Sequence, residues 1–85
     1  MEINVTPRFI KSYKKLHKEI QEKAKVKEAV FRINPFDKRL KTHKLSGKEK
    51  EVWAFWVDYS YRIKFIFLTK DEVLFLDIGT HDFYK

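Results

Sequence analysis

The chain has 85 residues, carries a formal net charge of +7 and contains no cysteine. This length fits a single domain over residues 1–85, and the missing thiols exclude both a disulfide framework and a thiolate-bound metal. Because no apolar run is long enough to cross a membrane and the N-terminus is too short and polar for a signal peptide, we expect an unexported cytoplasmic protein.

The first half of the chain predicts one strand and two helices. Residues 2–6 alternate as a short strand, and Thr6-Pro7 is a helix start, with a capping hydroxyl before a proline at the first helical position. Two apolar stripes of different phase follow, which predicts a break near Lys18 or Glu19. Asn34-Pro35 ends the second helix, because a residue before proline leaves the helical region. The first stripe holds Phe9, Tyr13, Leu16 and Ile20, and the second holds Val26, Ala29, Val30 and Ile33.

The second half changes to a period of two, which is typical of strands. Alternation over residues 52–57 and 61–68 and an apolar run over 73–78 predict three strands, and Gly79 ends the last one. This order predicts an α+β fold: an N-terminal strand and a two-helix hairpin packed on one face of a twisted, mostly antiparallel sheet of four to five strands. The residues expected in the core are Phe9, Tyr13, Leu16, Val30, Phe55, Val57, Phe65, Leu74 and Leu76.

Positive charge is concentrated in two segments. Residues 8–27 hold eight cations against Glu19 and Glu22, and residues 38–50 hold six cations against Glu49. Such a surface attracts a polyanion, with RNA or DNA first and an acidic protein second, although the lysine-rich helix is also explained as a solvated face. The cations expected to contact RNA are Lys38, Arg39, Lys41, Lys44 and Lys48.

Three polar side chains lie in or at the ends of predicted strands, where a rigid scaffold often holds catalytic residues. His43 lies at the start of the sheet, Arg62 sits in a strand whose alternate residues are apolar, and His81 follows the last apolar strand. Histidine titrates near neutrality, and arginine offers phosphate a permanent charge with forked donors. Structural alternatives stay open, because His43 also fits a hydrogen-bonded core position and Arg62 also fits a salt bridge with Asp58 or Asp77.

No motif for a cofactor or a metal is present. The chain lacks a glycine-rich phosphate loop and a His-Glu-x-x-His pair, so we expect neither a cofactor nor a metal site. His17 stands alone within a helical segment, and we expect it on the surface.

Three ordered segments resemble the RelE/ParE toxin superfamily, and are most similar to its YafQ-like branch of mRNA interferases. They read NPFDKRLKTHKLSGK over 34–48, WAFWVDYSYRI over 53–63 and LDIGTHDFYK over 76–85, and the helical residues 9–16 fit as well. The resemblance covers nearly the whole chain. It implies a toxin that pairs with an antitoxin in a hetero-oligomer and cuts mRNA presented by the ribosome.

The resemblance also implies an active site. His43 and His81 stand at positions where the YafQ-like branch has catalytic histidines, and Arg62 stands where RelE-like members have a phosphate-binding arginine. Tyr84 resembles the C-terminal aromatic residue of the family's site. The implied reaction is a metal-independent attack of an RNA 2′-hydroxyl on the neighbouring phosphorus.

One face of the central hairpin departs from the family pattern. Family members usually carry Lys, Arg or His at the positions of Ala54 and Trp56, which are uncharged here. Trp56 is therefore expected either to stack on a nucleobase or to lie against an antitoxin. Three functions stay open: a ribosome-dependent mRNA endonuclease, a ParE-like toxin that inhibits gyrase, and a catalytically weak relative that binds RNA or protein.

Overall fold

The computed structural model describes residues 1–46, 51–80 and 82, which form a five-stranded sheet with two helices, as the sequence predicts. The strand order is β1-β5-β4-β3-β2, where β1 and β5 pair in parallel and the other neighbours pair antiparallel. The elements are β1 (Glu2–Val5), α1 (Pro7–Lys14), α2 (Lys18–Ile33), a 3₁₀ turn (Lys38–Leu40), β2 (His43–Lys44), β3 (Trp53–Trp56), β4 (Tyr61–Thr69) and β5 (Glu72–Thr80).

The two helices form a hairpin that is fastened at its turn. The Thr6 hydroxyl accepts a hydrogen bond of 2.9 Å from the backbone N–H three residues later, so the predicted helix start is confirmed. The break falls between Lys14 and Lys18, slightly earlier than predicted, which leaves Leu16 in the turn and splits the first stripe between α1 and α2. Two reciprocal bonds between Tyr13 and Gln21, of 2.9 and 3.2 Å, then join the helices.

An aromatic cluster forms the centre of the core. Phe31 of α2 is fully buried, and its ring lies 4.8 to 5.4 Å from three rings of the sheet. Burial of apolar area is the main favourable contribution to folding, and aromatic side chains bury more of it than most others. The three rings of the sheet belong to Phe55, Phe65 and Phe75.

The rotation of α2 about its axis differs from the prediction. Val26, Ala29 and Ile33 of the predicted stripe are exposed, with Ile33 at 89%, and Val30 is the member that packs against the core. The prediction is wrong because it left out Phe31, whose fully buried ring contacts three rings of the sheet and therefore turns its side of the helix towards the sheet.

The side-chain alternation of β5 also differs from the prediction. Leu74 and Leu76 lie outside the buried core. The β4–β5 register shifts between Lys64 and Phe65, which leaves Leu76 as an extra, bulged residue. The sequence did not reveal this because an unbroken apolar run has no alternation to fix its register. The buried residues of β5 are Val73, Phe75 and Ile78.

The remaining predicted core residues are confirmed. Four of them are buried, and three are partly buried and pack against the core cluster. The buried four are Phe9, Phe55, Val57 and Phe65, and the other three are Tyr13, Leu16 and Val30.

Candidate active site

Arg62 is a buried cation in β4, with 5% of its surface exposed. Its Nη1 donates to the backbone carbonyls of Asp58 and Tyr59 at 2.7 Å each and to that of Tyr61 at 3.2 Å. Its Nε has no hydrogen-bond partner in the part of the chain that the structure describes. The alternative of a salt bridge with Asp58 or Asp77 is wrong, because those carboxylates bind the turn backbone, Lys23 and α1 instead. Arg62 therefore closes the β3–β4 turn.

Trp56 lies beside two cations. The Arg62 Cζ lies 3.9 Å from the centroid of the Trp56 ring, and the Lys41 Nζ lies 5.1 Å from it. The negative face of the indole ring attracts both charges. Trp56 is itself uncharged, but two positively charged side chains thus lie over its ring.

Lys41 adopts a left-handed backbone conformation, with a φ of 50°. This conformation costs a residue other than glycine about 1–3 kcal/mol and persists only where the surrounding structure imposes it. Here Leu40 is fully buried on one side, and on the other the Thr42 hydroxyl donates a hydrogen bond of 2.6 Å to the Pro35 carbonyl. These anchors hold the Lys41 side chain towards Trp56.

His43 is partly buried at the start of the edge strand β2. Its Nδ1 lies 2.9 Å from the carbonyl oxygen of Lys41. A carbonyl only accepts hydrogen bonds, so Nδ1 carries the proton and the lone pair of the neutral ring is on Nε2. His43 is therefore held by the backbone without being enclosed in the core.

The strand register puts His43 and Arg62 on the same face of the sheet. His43 lies opposite Ala54 on β3, and Trp56, two residues further along β3, lies opposite Arg62 on β4. Side chains directly opposite one another, and those two residues apart along a strand, share a face. The structure therefore brings Lys41, Trp56 and Arg62 together and sets His43 on their face, two strands from Arg62.

Other cations predicted to bind RNA lie elsewhere. Arg39 makes a two-pronged ion pair of 2.9 Å with Asp37, whose pKa the Arg39 side-chain hydrogen bond holds well below its usual range. Lys44 lies over Trp53, at 6.0 Å from the ring centroid, on the opposite face from His43. Lys38 is exposed in the 3₁₀ turn. The predictions for Lys48, His81 and Tyr84 lie outside the described residues.

Asp58 organises the turn that holds Arg62. Partial burial raises the pKa of Asp58. Two effects lower it: hydrogen bonds from the backbone N–H groups of Tyr61 and Ser60, and the ammonium of Lys23, which lies 3.5 Å away. The net pKa is below its ordinary value. Asp58 is thus ionised at neutral pH. It fixes the backbone whose carbonyls bind Arg62.

Sequence reasoning missed an aromatic cluster at the other end of the hairpin. Phe36 is 54% exposed and contacts Trp53 and Phe67, with ring centroids 5.5 and 6.0 Å away. Phe36 follows the proline that ends α2, where no periodicity indicates which neighbours its ring meets.

Two carboxylates near the site are engaged with cations. Asp37 pairs with Arg39, and Asp58 pairs with Lys23. Among the described residues, no three His, Cys, Asp or Glu side chains are grouped so that they could hold a metal ion. No helix in the described ranges is long and apolar enough to span a membrane.

The fold is shared with solved structures of bacterial and archaeal toxins. A YoeB/ParE toxin from Agrobacterium tumefaciens matches with a TM-score of 0.79 and 15% identity, over 95% of this chain and 99% of that one. The E. coli DinJ-YafQ toxin-antitoxin complex matches with a TM-score of 0.76 and 22% identity, over 95% and 92%. The archaeal RelE-RelB complex from Pyrococcus horikoshii OT3 matches with a TM-score of 0.74 and 15% identity, over 93% and 92%. The chain has the RelE/ParE toxin fold.

The RelE/ParE fold that the sequence resemblance implied is therefore confirmed. No protein-family model and no curated protein matched the sequence of the chain. A shared fold supports many functions, so the activity is argued from the side chains of the site.

Proposed function

We propose that this chain is the toxin of a type II toxin-antitoxin pair and that it cleaves mRNA on the ribosome. The toxin role is supported by the likeness in fold to the DinJ-YafQ and RelE-RelB complexes. The observation that carries the RNA chemistry is the buried Arg62 guanidinium, stacked 3.9 Å from the Trp56 ring centroid with Lys41 beside the same ring.

The proposed reaction moves two protons and needs no metal. The 2′-hydroxyl of the RNA attacks the neighbouring phosphorus and gives its proton to a general base. The 5′-oxygen leaves with a proton from a general acid, which yields a 2′,3′-cyclic phosphate and a 5′-hydroxyl. Negative charge builds on the phosphoryl oxygens, where a fixed cation lowers the barrier most.

Arg62 is the proposed stabiliser of that charge. Its Nη1 is fixed by three carbonyls, so the guanidinium needs little reorganisation when charge develops. His43 and His81 are the proposed acid and base, in an order that we leave open, and Tyr84 is the proposed aromatic residue of the site. Lys41 would hold the RNA backbone.

The proposed partner is an acidic antitoxin that forms a hetero-oligomer with the chain in the cytoplasm. The net charge of +7 favours an acidic partner. Val26, Ala29 and Ile33 form an exposed apolar stripe on α2, which is a typical feature of a protein contact. If charge dominates the contact, the complex should weaken as salt rises, because exposed charges are screened within about 10 Å at 0.1 M salt.

Translation in vitro with purified protein, with mRNA ends mapped by primer extension, tests the nuclease. We expect cleavage by the parent and a loss of roughly a hundredfold or more in rate for His43→Gln, because a positioned acid or base contributes at least that factor. His17→Gln is the matched control, since His17 is an exposed histidine at the start of α2 whose side chain makes no capping bond. Unchanged cleavage by folded His43→Gln and His81→Gln would overturn the mechanism.

A second candidate is a binding toxin without chemistry of its own, such as a gyrase inhibitor. Ala54, at a family position for a charged residue, is fully buried, and the Nη1 of Arg62 is already occupied by carbonyls. A gyrase supercoiling assay run beside the translation assay separates the two. Inhibition of supercoiling without mRNA cleavage favours this candidate.

A further inference from the structure

Two lysine–tryptophan pairs lie on opposite faces of the β2–β3 ribbon. Lys41 lies 5.1 Å from the Trp56 ring centroid, and Lys44 lies 6.0 Å from that of Trp53. Trp53 and Trp56 are three residues apart on one strand, so their side chains leave opposite faces of the sheet. The Lys41–Trp56 pair belongs to the candidate active site, whereas the mechanism does not use the Lys44–Trp53 pair.

The unused pair is part of a larger aromatic surface, which we call the Phe36 cluster and define as Phe36, Trp53, Phe67 and Lys44. The Phe36 ring stands edge-on to Trp53 at 5.5 Å and stacks on Phe67 at 6.0 Å, and Trp53 and Phe67 are 5.8 Å apart. Trp53 and Phe67 pack inward against the core, while Phe36 is 54% exposed. Core packing therefore explains the positions of Trp53 and Phe67, but it does not explain why an aromatic ring is largely exposed at Phe36.

Hydrogen bonds fix the backbone around Phe36, and contacts with the other two rings of the cluster fix its ring. The Phe36 backbone N–H donates to the Asn34 side chain at 3.0 Å, and the Thr42 hydroxyl donates to the Pro35 carbonyl at 2.6 Å. Leu40 anchors the same segment in the core. A ring that is already fixed loses little freedom on binding, which favours a ligand that stacks on it.

The charge around the cluster indicates which ligand fits. Of the four cations from Lys38 to Lys44, Arg39 is paired with Asp37 and Lys41 lies on the opposite face. This leaves Lys38 and Lys44 to supply the positive charge on this side. Two copies of a chain with a net charge of +7 repel one another, which disfavours self-association through this surface. Aromatic faces beside lysines are the combination that binds single-stranded nucleic acid, with bases stacking and phosphates meeting the cations.

We propose that the Phe36 cluster is a second RNA subsite, on which a base of single-stranded RNA stacks while Lys44 contacts the adjacent phosphate. β2 is the edge strand of the sheet, so one RNA strand passes around it from the Trp56 side to the Phe36 side. This inference rests on the proposal that the chain binds RNA, and it adds a contact outside the catalytic face.

Fluorescence anisotropy with a labelled 2′-O-methyl RNA of about a dozen nucleotides tests the subsite, since a blocked 2′-hydroxyl allows binding without cleavage. Phe36→Ala should weaken binding about 5- to 150-fold, the loss expected for one stacked base, with little change in salt dependence. Phe36→Trp should retain binding. Lys44→Ala should lower the salt slope by about one unit. Ile10→Ala is the matched control, because Ile10 is an exposed apolar side chain of α1, outside both the cluster and the apolar stripe of α2.

Three outcomes overturn the subsite: Phe36→Ala binds like Ile10→Ala, it loses the same factor on a duplex of the same sequence, or the parent does not bind the oligomer at low salt. Cleavage measured in the translation assay separates this inference from the proposed function. If the parent binds through Phe36 but never cleaves, the subsite stands and the nuclease fails. If the parent cleaves while folded Phe36→Ala binds and cleaves unchanged, the nuclease stands and the subsite fails.

Discussion

Replacement of Arg62 by alanine is expected to destabilise the fold as well as the proposed chemistry. The substitution removes two 2.7 Å bonds to carbonyls, each worth about 1.5–3 kcal/mol when the donor is charged. Part of that loss is recovered, because Nε is buried without a partner among the described residues and its removal returns about 1–3 kcal/mol. The loss of about 3–6 kcal/mol and the recovery of about 1–3 kcal/mol have midpoints of about 4.5 and about 2 kcal/mol, so we expect the free energy of unfolding to fall by about 2–3 kcal/mol.

This loss is large for a chain of 85 residues, whose total stability is expected to be about 4–13 kcal/mol. Urea unfolding followed by circular dichroism and tryptophan fluorescence measures it. Arg8→Ala is the matched control, because the Arg8 side chain is 81% exposed and makes one ion pair of 3.2 Å with Asp77, so its removal should cost about 1 kcal/mol or less. The Arg62 effect should persist in high salt, and the Arg8 effect should fade.

An Arg62→Ala variant within about 0.5 kcal/mol of the parent, with the same denaturant slope, would refute the account of a guanidinium that closes the turn. It would also make Arg62→Ala a clean probe of catalysis. If the free energy of unfolding falls as expected, growth and cleavage assays on Arg62→Ala will reflect both the loss of folding and the loss of chemistry. The test of the mechanism then depends on His43→Gln and His81→Gln.

Two further predictions concern the turn and the core. Because the pKa of Asp58 is lowered in the native state, its ionised carboxylate stabilises that state above the ordinary pKa of 3.8, and this contribution is lost as pH falls through the lower folded value. Asp58→Asn should therefore flatten the dependence of the free energy of unfolding on acid pH. An unchanged slope would count against this prediction. Phe31→Ala should cost about 3–5 kcal/mol in urea unfolding, whereas Ile33→Ala, two residues later and exposed, should stay within about 0.5 kcal/mol; similar costs would contradict the rotation of α2.

The alternation patterns and turn signals were sufficient to predict the element order and fold class. Thr6-Pro7 and Asn34-Pro35 mark helix limits by local chemistry, which the chain carries in adjacent residues. The rotation of α2 and the bulge at Leu76 were missed because each depends on contacts between distant segments. Phe31 meets three strands, and the bulge arises from the pairing of β5 with β4.

The candidate site was predictable to a similar degree. Residue type and the family resemblance selected His43 and Arg62, and the strand register puts both on one face of the sheet. The partners of Arg62 were not predictable, because they are carbonyls of a turn whose shape depends on Asp58. The count of charges likewise grouped Lys41 with Lys44. In the structure, Lys41 lies beside Trp56 and Lys44 beside Trp53, on opposite faces of the ribbon.

At Lys41, the steric cost of a left-handed backbone conformation accompanies a positive charge beside Trp56. Glycine adopts a φ of 50° without the steric cost that lysine bears, so a sequence optimised for stability alone would hold glycine at this position. Such a sequence would lose the ammonium group 5.1 Å from the Trp56 ring. Stability-driven redesign of this chain, which tends to favour glycine at left-handed positions, would therefore remove positive potential from the face that carries Arg62, and the more robust protein would be the poorer binder of a polyanion.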